Sequence, residues 1–437
     1  MLIGLKKEKD IAEGISRRQA MGESYWAIVR RQFRKNRLAV WSLRLLYLLL
    51  FTALSADFIA NERPLYCQIE GETHFPVFKQ YAVALGLSTW EAQFFQKGWR
   101  EHDYEKVIWA PIPYSATTID RKNNNYRAPG DEQDVTSVRF RHWLGTDQLG
   151  RDITAGMISG TRIAMLVGVV SMSIAAIIGI FFGALAGYFG DDRFQASRIG
   201  LALNILGILA SIFYAFSARS FAFSEGTFSV ELLKSLGITA AIMGLLNLLA
   251  RALKRIPFLG KSITLPLDIM VMRLIEIISS VPALLLVLSI LAVIEQPSIL
   301  YVMAIIGLIR WTGIARFIRA ELLRIRSLEY IEAAQALGYS EWRIISRHAI
   351  PNALTPVLIT IAFGVASAIL LEAFLSFLSV GVPPEQVTWG SLLRLARSQV
   401  SAWWLAIFPG FAIFLTVTIF NLLGEGLTDA LDPRLRG

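Results

Sequence analysis

Apolar runs, each close to 20 residues and separated by polar stretches, set the pattern of this chain. That is the length of helix needed to cross a bilayer, about 20 residues at 1.5 Å each. The runs predict eight spans, at about 38–60, 161–187, 199–217, 232–250, 274–294, 298–317, 352–372 and 403–423. Gly and Pro fall inside several of them, among them Gly168, Gly179, Gly183, Pro282, Pro356, Gly364 and Pro409. Close-packed membrane helices accommodate such residues as packing and kink positions; hinges of a moving pathway are the other reading. Residues 61–150 are too polar to cross and too long for a simple turn. Their aromatic residues, including Trp90, Phe94, Trp99, Trp109 and Tyr114, either fill a small core or line a partner-facing surface.

Composition agrees with the pattern. Hydrophobic residues make up 54% of the chain, charged residues 18%, and mean hydropathy is +0.50, so the membrane is the expected solvent. A single cysteine, Cys67, excludes an intrachain disulfide, and four scattered His argue against a zinc or haem site. The net charge of +9 gains meaning from its location. Residues 1–37 carry ten Lys or Arg against four acids and end in "RRQFRKNR" just before the first apolar run, the mark of a cytoplasmic end rather than of a nucleic-acid partner. The basic region is too long for a secretory signal, and no small-residue cleavage site follows the apolar stretch. With this segment inside, parity places 61–150 outside, the loop bearing Arg251, Lys254, Arg255 and Lys261 inside, and a tail at 424–437 inside, so both termini are expected to be cytoplasmic.

One charged, Ala-rich stretch stands between two apolar runs: "EYIEAAQALGYSEWRIISRHAIPNA", Glu329 to Ala353. Glu329 to Leu337 are good helix formers and Gly338 is a natural C-terminal stop. Ser340 then caps a second helix, with Glu341 in its first turn and Pro351 limiting its far end. Ala333, Ala334 and Leu337 form an apolar surface of little bulk beside Glu332, suited to close docking. The competing reading is an amphipathic helix on the lipid surface; anionic headgroups would repel Glu329, Glu332 and Glu341.

These residues carry a resemblance. The stretch resembles the "EAA" loop of bacterial ATP-binding-cassette importer permeases, with Glu332, Ala333, Ala334 and Gly338 on its hallmark positions and "HAIPNAL" closing it. It is similar in particular to the dipeptide, oligopeptide and nickel permease family, in the branch that supplies the second, C-type permease subunit. "WLGTDQLGRDITAGMISGTRIAMLVG" (143–168), "LEAFLSFLSVGVPPEQVTWGSLL" (371–393) and "WWLAIFPGFAIFLTVTIFNLLGEGLTDALDPRLR" (403–436) agree in order. The resemblance covers about 30–60, 139–193 and 267–437. It implies an all-α polytopic membrane protein with a type I importer permease core at 151–423, a coupling loop at about 321–350, and multi-pass placement in the bacterial cytoplasmic (inner) membrane. Two regions depart from the pattern: a large extracytoplasmic insertion at 61–150, and about 191–266, which holds two spans. The expectation is a six-span core plus an inserted hairpin, about eight transmembrane helices.

No G-x-x-x-x-G-K-[ST] motif is present, so the chain is not the motor and no cofactor is expected on it. The resemblance implies a homologous permease, two ATPase subunits that hold ATP and Mg, an extracytoplasmic solute-binding protein, and import of peptides or related small solutes. The helix around Glu332 to Leu337 would sit in a groove on one ATPase. In "GTDQLGRD", Asp147, Arg151 and Asp152 form either a structural ion-pair network or a receiving surface for the binding protein. Glu372 is a candidate pathway residue near the outer end of a span, Arg273 and Glu276 are expected to pair or snorkel, and Arg310 is expected to anchor at an interface beside Trp311. The rival readings are a secondary transporter driven by an ion gradient, which predicts broken helices and midplane charges, and a sensory or structural membrane protein whose 61–150 segment binds an external ligand.

Overall fold

The computed structural model describes residues 25–431 apart from 92, 93, 95, 96, 226, 227, 296, 297 and 384. Most of the basic N-terminal segment and the last six residues of the tail lie outside the described residues. The long helices are α1 (Tyr25–Lys35), α2 (Arg37–Leu54), α3 (Ile153–Ala184), α4 (Arg198–Ser211), α5 (Phe228–Leu253), α6 (Leu267–Ser279), α7 (Ala283–Val293), α8 (Ile299–Ile325), α9 (Glu329–Ala336), α10 (Ile350–Phe377), α11 (Trp389–Ser398) and α12 (Trp404–Leu431). Among the described residues seven helices are long and apolar enough to cross a membrane, or eight if the bent pair α6–α7 counts as one span. The protein is thus an all-α polytopic membrane fold, with short strands confined to the segments between spans.

Helices α3 and α8 form its central seam. Asp152 starts α3, its Oδ1 accepting the Ala155 N–H at 2.7 Å. Gly179, Gly183 and Gly187 follow at four-residue spacing, one ridge of a helix. A Cβ on any of them would stand within 3 Å of α8 backbone: 2.8 Å from the Trp311 carbonyl, 2.7 Å from that of Ala315 and 2.7 Å from that of Arg319. The absence of side chains there lets the two backbones meet, the usual device of membrane helix packing. Ile314, Ile318 and Leu322 are fully buried along this seam, and α10 and α12 close over it.

The apolar run at 274–294 does not make one straight helix. It breaks at Ser280–Pro282, and α6 and α7 meet at 78°. Pro282 has no N–H to donate and its ring blocks the carbonyl four residues earlier, so the helix stops and restarts. A second difference lies at Pro351. The helix begun at Glu341 does not end there but runs through a π-turn, Ile345–Ala349, directly into α10, so Glu341–Phe377 is one 37-residue rod. The wider turn frees backbone groups that a regular helix would pair and gives the proline ring room.

Helices α4 and α5 form an antiparallel hairpin. The amides of Asn204 and Asn247 exchange hydrogen bonds at 3.2 and 3.4 Å, and Gly207 lies under Met243. β4 (Gln195–Ser197) pairs with β5 (Ser262–Thr264) at its base, Ala196 opposite Ile263. In the 61–150 segment, β1 (Tyr66–Ile69) pairs with both β2 (Glu72–His74) and β3 (Lys106–Ile108), with Cys67 opposite His74 and Val107. Phe94 stacks on Trp99 at 4.8 Å, and Phe94, Trp109 and Tyr114 are buried, so these aromatic side chains fill a core.

Candidate functional site

The α9 elbow has the geometry its sequence calls for. Gly338 takes φ +76°, the Gly338 N–H donates to the Gln335 carbonyl at 2.9 Å and the Tyr339 N–H to that of Ala334 at 3.2 Å. This is a Schellman closure, which needs a left-handed residue at this position and therefore favours glycine. No atom lies within 4 Å of a Cβ built there, so the requirement is backbone conformation rather than space. Glu332, Ala333 and Leu337 are exposed, Leu337 at 73%. Ala334 differs from its expected place: it lies three residues after the fully buried Ile331, on the same helical face, and is turned into the protein. The exposed surface continues past the elbow with Tyr339 and with Trp342, 76% exposed.

Both sides of the elbow are fixed to the spans. Ile331 and Ala334 belong to the core that holds the α3–α8 seam. The fully buried Tyr188, on the π-turn that ends α3, donates its hydroxyl to the Glu341 carboxylate. Nearby, the guanidinium of Arg319 on α8 grips Asp268 at the start of α6 through two hydrogen bonds, one of them 2.6 Å from Nη2 to Oδ2, and Asp191 Oδ1 accepts the Ile269 N–H at 3.1 Å. A cavity of about 350 Å³ lined by Asp192, Arg193, Arg326 and Glu332 opens beside α9. Trp342 is thus continuous with α10 through helix, and Tyr188 links the adjacent Glu341 to the end of α3.

At the opposite end, on the face carrying 61–150, the charged residues of "GTDQLGRD" enter two polar groups, Asp147–Arg151 and Asp152–His142–Asp120. Asp147, 1% exposed, accepts the Arg151 Nε–H at 2.6 Å and the N–H groups of Leu149 and Arg151 at 2.9 Å each. Asp152, besides capping α3, meets His142 Nδ1 at 2.8 Å, and His142 Nε2 meets Asp120 at 3.2 Å. Burial by itself would lower the His142 pKa, but the hydrogen bonds to both carboxylates outweigh it and the net shift is upward. Asp120 is held well below the usual carboxylate range: burial opposes this, and hydrogen bonds from His142, Asn123 and the Lys122 N–H overcome it. Glu372 is buried in α10 at 1% exposure, with Ser376 Oγ donating to it at 2.6 Å; a translocation role for it requires that packing to open. Sequence reasoning missed Tyr188, His142 and Asp120, whose partners lie 153, 10 and 22 residues away. Of the ion-pair network expected from Asp147, Arg151 and Asp152, the structure forms the Asp147–Arg151 pair and turns Asp152 to His142 instead.

Known proteins agree with this architecture. The family described as the binding-protein-dependent transport system inner membrane component matches residues 258–437, and the N-terminal transmembrane domain of oligopeptide transport permease C matches 24–74. An inner membrane ABC transporter permease protein, YejE of Escherichia coli K12, is 30% identical over 426 residues, covering 96% of this chain and 99% of the relative. This chain belongs to the C-type permeases of the ABC peptide, oligopeptide and nickel importer family. The peptidoglycan transport system permease protein YejE of Agrobacterium fabrum is 28% identical over 92% of each chain, and the oligopeptide permease OppC of Haemophilus influenzae 31% identical over 68% of the permease described here and 71% of its own length. Permeases of this family are non-catalytic and work with a paired permease, ATPase subunits and a solute-binding protein. Membership sets aside the secondary-transporter and sensory readings.

Proposed function

We propose that this permease carries peptides, or solutes containing peptide, inward across the cytoplasmic membrane, driven by two ATPase subunits at the inner face, one of which receives its α9. One homologous permease completes the pathway. Glu332, Ala333 and Leu337, with Gly338 as the elbow and Trp342 beyond it, form the ATPase-facing surface, while Ala334 seats α9 from within. On this reading both termini are cytoplasmic and 61–150 is extracytoplasmic, where the binding protein docks near Asp147, Arg151 and Asp152. The α4–α5 hairpin at about 191–266 is an addition to a six-span core. The near end-to-end match to the Escherichia coli YejE supports this, because the OppC relative matches over a much smaller share of the chain. The peptide reading draws on those relatives, named for oligopeptide and peptidoglycan transport.

The observation that carries the coupling reading is the exposed α9 elbow, joined by covalent helix to α10 and by Tyr188–Glu341 to α3. Co-expression with the partner subunits and measurement of binding-protein-stimulated ATP hydrolysis in proteoliposomes tests it. Gly338→Val forces a β-branched residue into left-handed backbone, at a cost of about 1–3 kcal/mol, and Glu332→Ala removes the exposed acid. Each is expected to lower stimulated hydrolysis about tenfold, corresponding to roughly 1.4 kcal/mol, with assembly retained on size exclusion. Full stimulation in both variants would refute the coupling role.

A further inference from the structure

Arg310 is the twelfth of the 27 residues of α8, about 17 Å along a helix some 40 Å long. It stands inside the apolar stretch of α8, before the charged turns that begin at Arg316. Its Nε is buried and has no hydrogen-bond partner among the described residues. A charged side chain at that depth is costly unless it meets an opposite charge, water or a solute.

The surroundings say which. From Val302 to Ile309, α8 is covered on this side by α7, whose Val287 and Leu291 pack against Val302, Ile305, Ile306 and Ile309. Below that level the cover by α7 ends, because the chain bends by 78° at Ser280–Pro282, and α6 meets α8 through Ser279–Arg316 and Asp268–Arg319 at its two ends. Gly313, one turn below Arg310, has nothing within 4 Å of a Cβ position, and Arg316 and the four residues Ser279 to Pro282 are exposed. Arg316 Nη2 donates to Ser279 Oγ at 3.2 Å across the mouth of the opening. Exposed non-helical backbone is not tolerated against lipid; it borders water or protein. The other face of α8 is already occupied by the glycines of α3.

We infer that the α8 stripe Arg316–Gly313–Arg310 lines a water-filled vestibule rising from the α9 side into the apolar part of the span, and that Arg310 at its head receives a carboxylate of the solute. For a peptide that group is its terminal carboxylate, which a guanidinium binds through two parallel N–H···O bonds. The choice of ligand rests on the peptide reading above; the cationic vestibule does not.

Two measurements on the reconstituted complex test the assignment. The native Cys67 is fully buried, and burial pushes its thiol up to about 11, so it stays silent to thiol reagents. Gly313→Cys then reports from the stripe. Its reaction rate with sulfonatoethyl methanethiosulfonate, divided by that with the trimethylammonium analogue, is expected to fall about tenfold when Arg310→Gln is added, the scale of local steering by fixed charge. An unchanged ratio, or a thiol inert to both reagents in nucleotide-free and ATP-bound states, overturns the vestibule.

The second measurement compares uptake of a tripeptide and its C-terminal amide, each as the variant-to-wild-type ratio so that selection by the binding protein cancels. Arg310→Gln is expected to lower uptake of the free acid about tenfold more than that of the amide, the size of one charge-assisted contact, and Arg310→Lys to restore most of the difference. Equal loss for both forms marks Arg310 as an ion-pair partner of the neighbouring permease and overturns the carboxylate assignment. Uptake of neither form by the wild type, with ATP hydrolysis still stimulated by the binding protein, refutes the peptide reading, and the thiol ratio still decides whether the stripe favours anions.

Discussion

Two helix pairs in this permease use glycine in opposite ways. Between α3 and α8, a Cβ at Gly179, Gly183, Gly187 or Gly307 would lie 2.7–2.9 Å from atoms of the facing helix, backbone carbonyls among them. Between α4 and α5 only Gly207 meets its partner, through the side chains of Met243 and Leu246, while Gly237 and Gly244 face open space. Half of the most apolar window of α3 and of α8 is buried, against 17% and 6% for the hairpin helices. The first pair has no freedom to slide, so it moves as one body with whatever grips its ends. The hairpin is bound mainly to itself, which suits a peripheral element. The fixed pair is also the one that Tyr188 and Arg319 join to the α9 end.

The sharpest way to break the comparison is Gly183→Leu, which sets a side chain against the Ala315 carbonyl at 2.7 Å and Ile318 Cβ at 2.8 Å. Overpacking costs typically about 1–3 kcal/mol, and more where the obstacle is backbone that cannot give, so the variant is expected to lose assembly and fail to give a cooperative thermal transition in detergent. A native-like transition would show that the seam can open.

Next in size is the network that fixes the other end of α3. The folded His142 pKa lies above its unfolded value, so its contribution is complete below the ordinary histidine pKa of about 6.5 and fades as pH rises through the raised folded value. The folded Asp120 pKa is depressed, so its contribution is present above the ordinary carboxylate pKa and is lost only as pH falls through the depressed value. Apparent Tm is therefore expected to decline as pH rises from about 6.5 through the raised folded value, and His142→Gln to abolish that slope while costing about 3 kcal/mol, as breaking a buried ion pair does. A slope unchanged by the substitution would place the titration elsewhere.

How much of this was legible depended on distance along the chain. Spans were visible because about 20 apolar residues in a row have few other uses, and the α9 elbow because helix formers and Gly338 act within a few residues of one another; Ser340 stands at the start of the next helix as expected but makes no side-chain capping bond. Pro282 was legible as a kink position, but the full break of 78° was not, because an apolar run reads alike whether bent or broken. Ala334 was misplaced because an Ala-rich helix shows no strong face until Ile331 has found its core. For Arg310, the adjacent Trp311 suggested a boundary, whereas its unpartnered, buried Nε appears only once α7 and α8 have packed. Tyr188–Glu341 and Asp120–His142–Asp152 exist only once remote segments meet.

The smallest expected effect falls on the hairpin. Gly237→Leu and Gly244→Leu place bulk where nothing lies within 4 Å, and replacing Gly by a good helix former within a helix gains about 0.5–1 kcal/mol. If α5 faces lipid on that side, each substitution leaves stimulated ATP hydrolysis unchanged and shifts apparent Tm upward by at most a few degrees. If instead the face bearing Gly237, Ala241 and Gly244 docks on another subunit, the added side chains wedge that contact apart, and the complex loses a component on size exclusion while this permease stays folded. The contrast with Gly183→Leu is then informative in itself: the same chemical change would be lethal to the fold in one pair and confined to assembly in the other, and the hairpin would rank as an interface rather than an appendage.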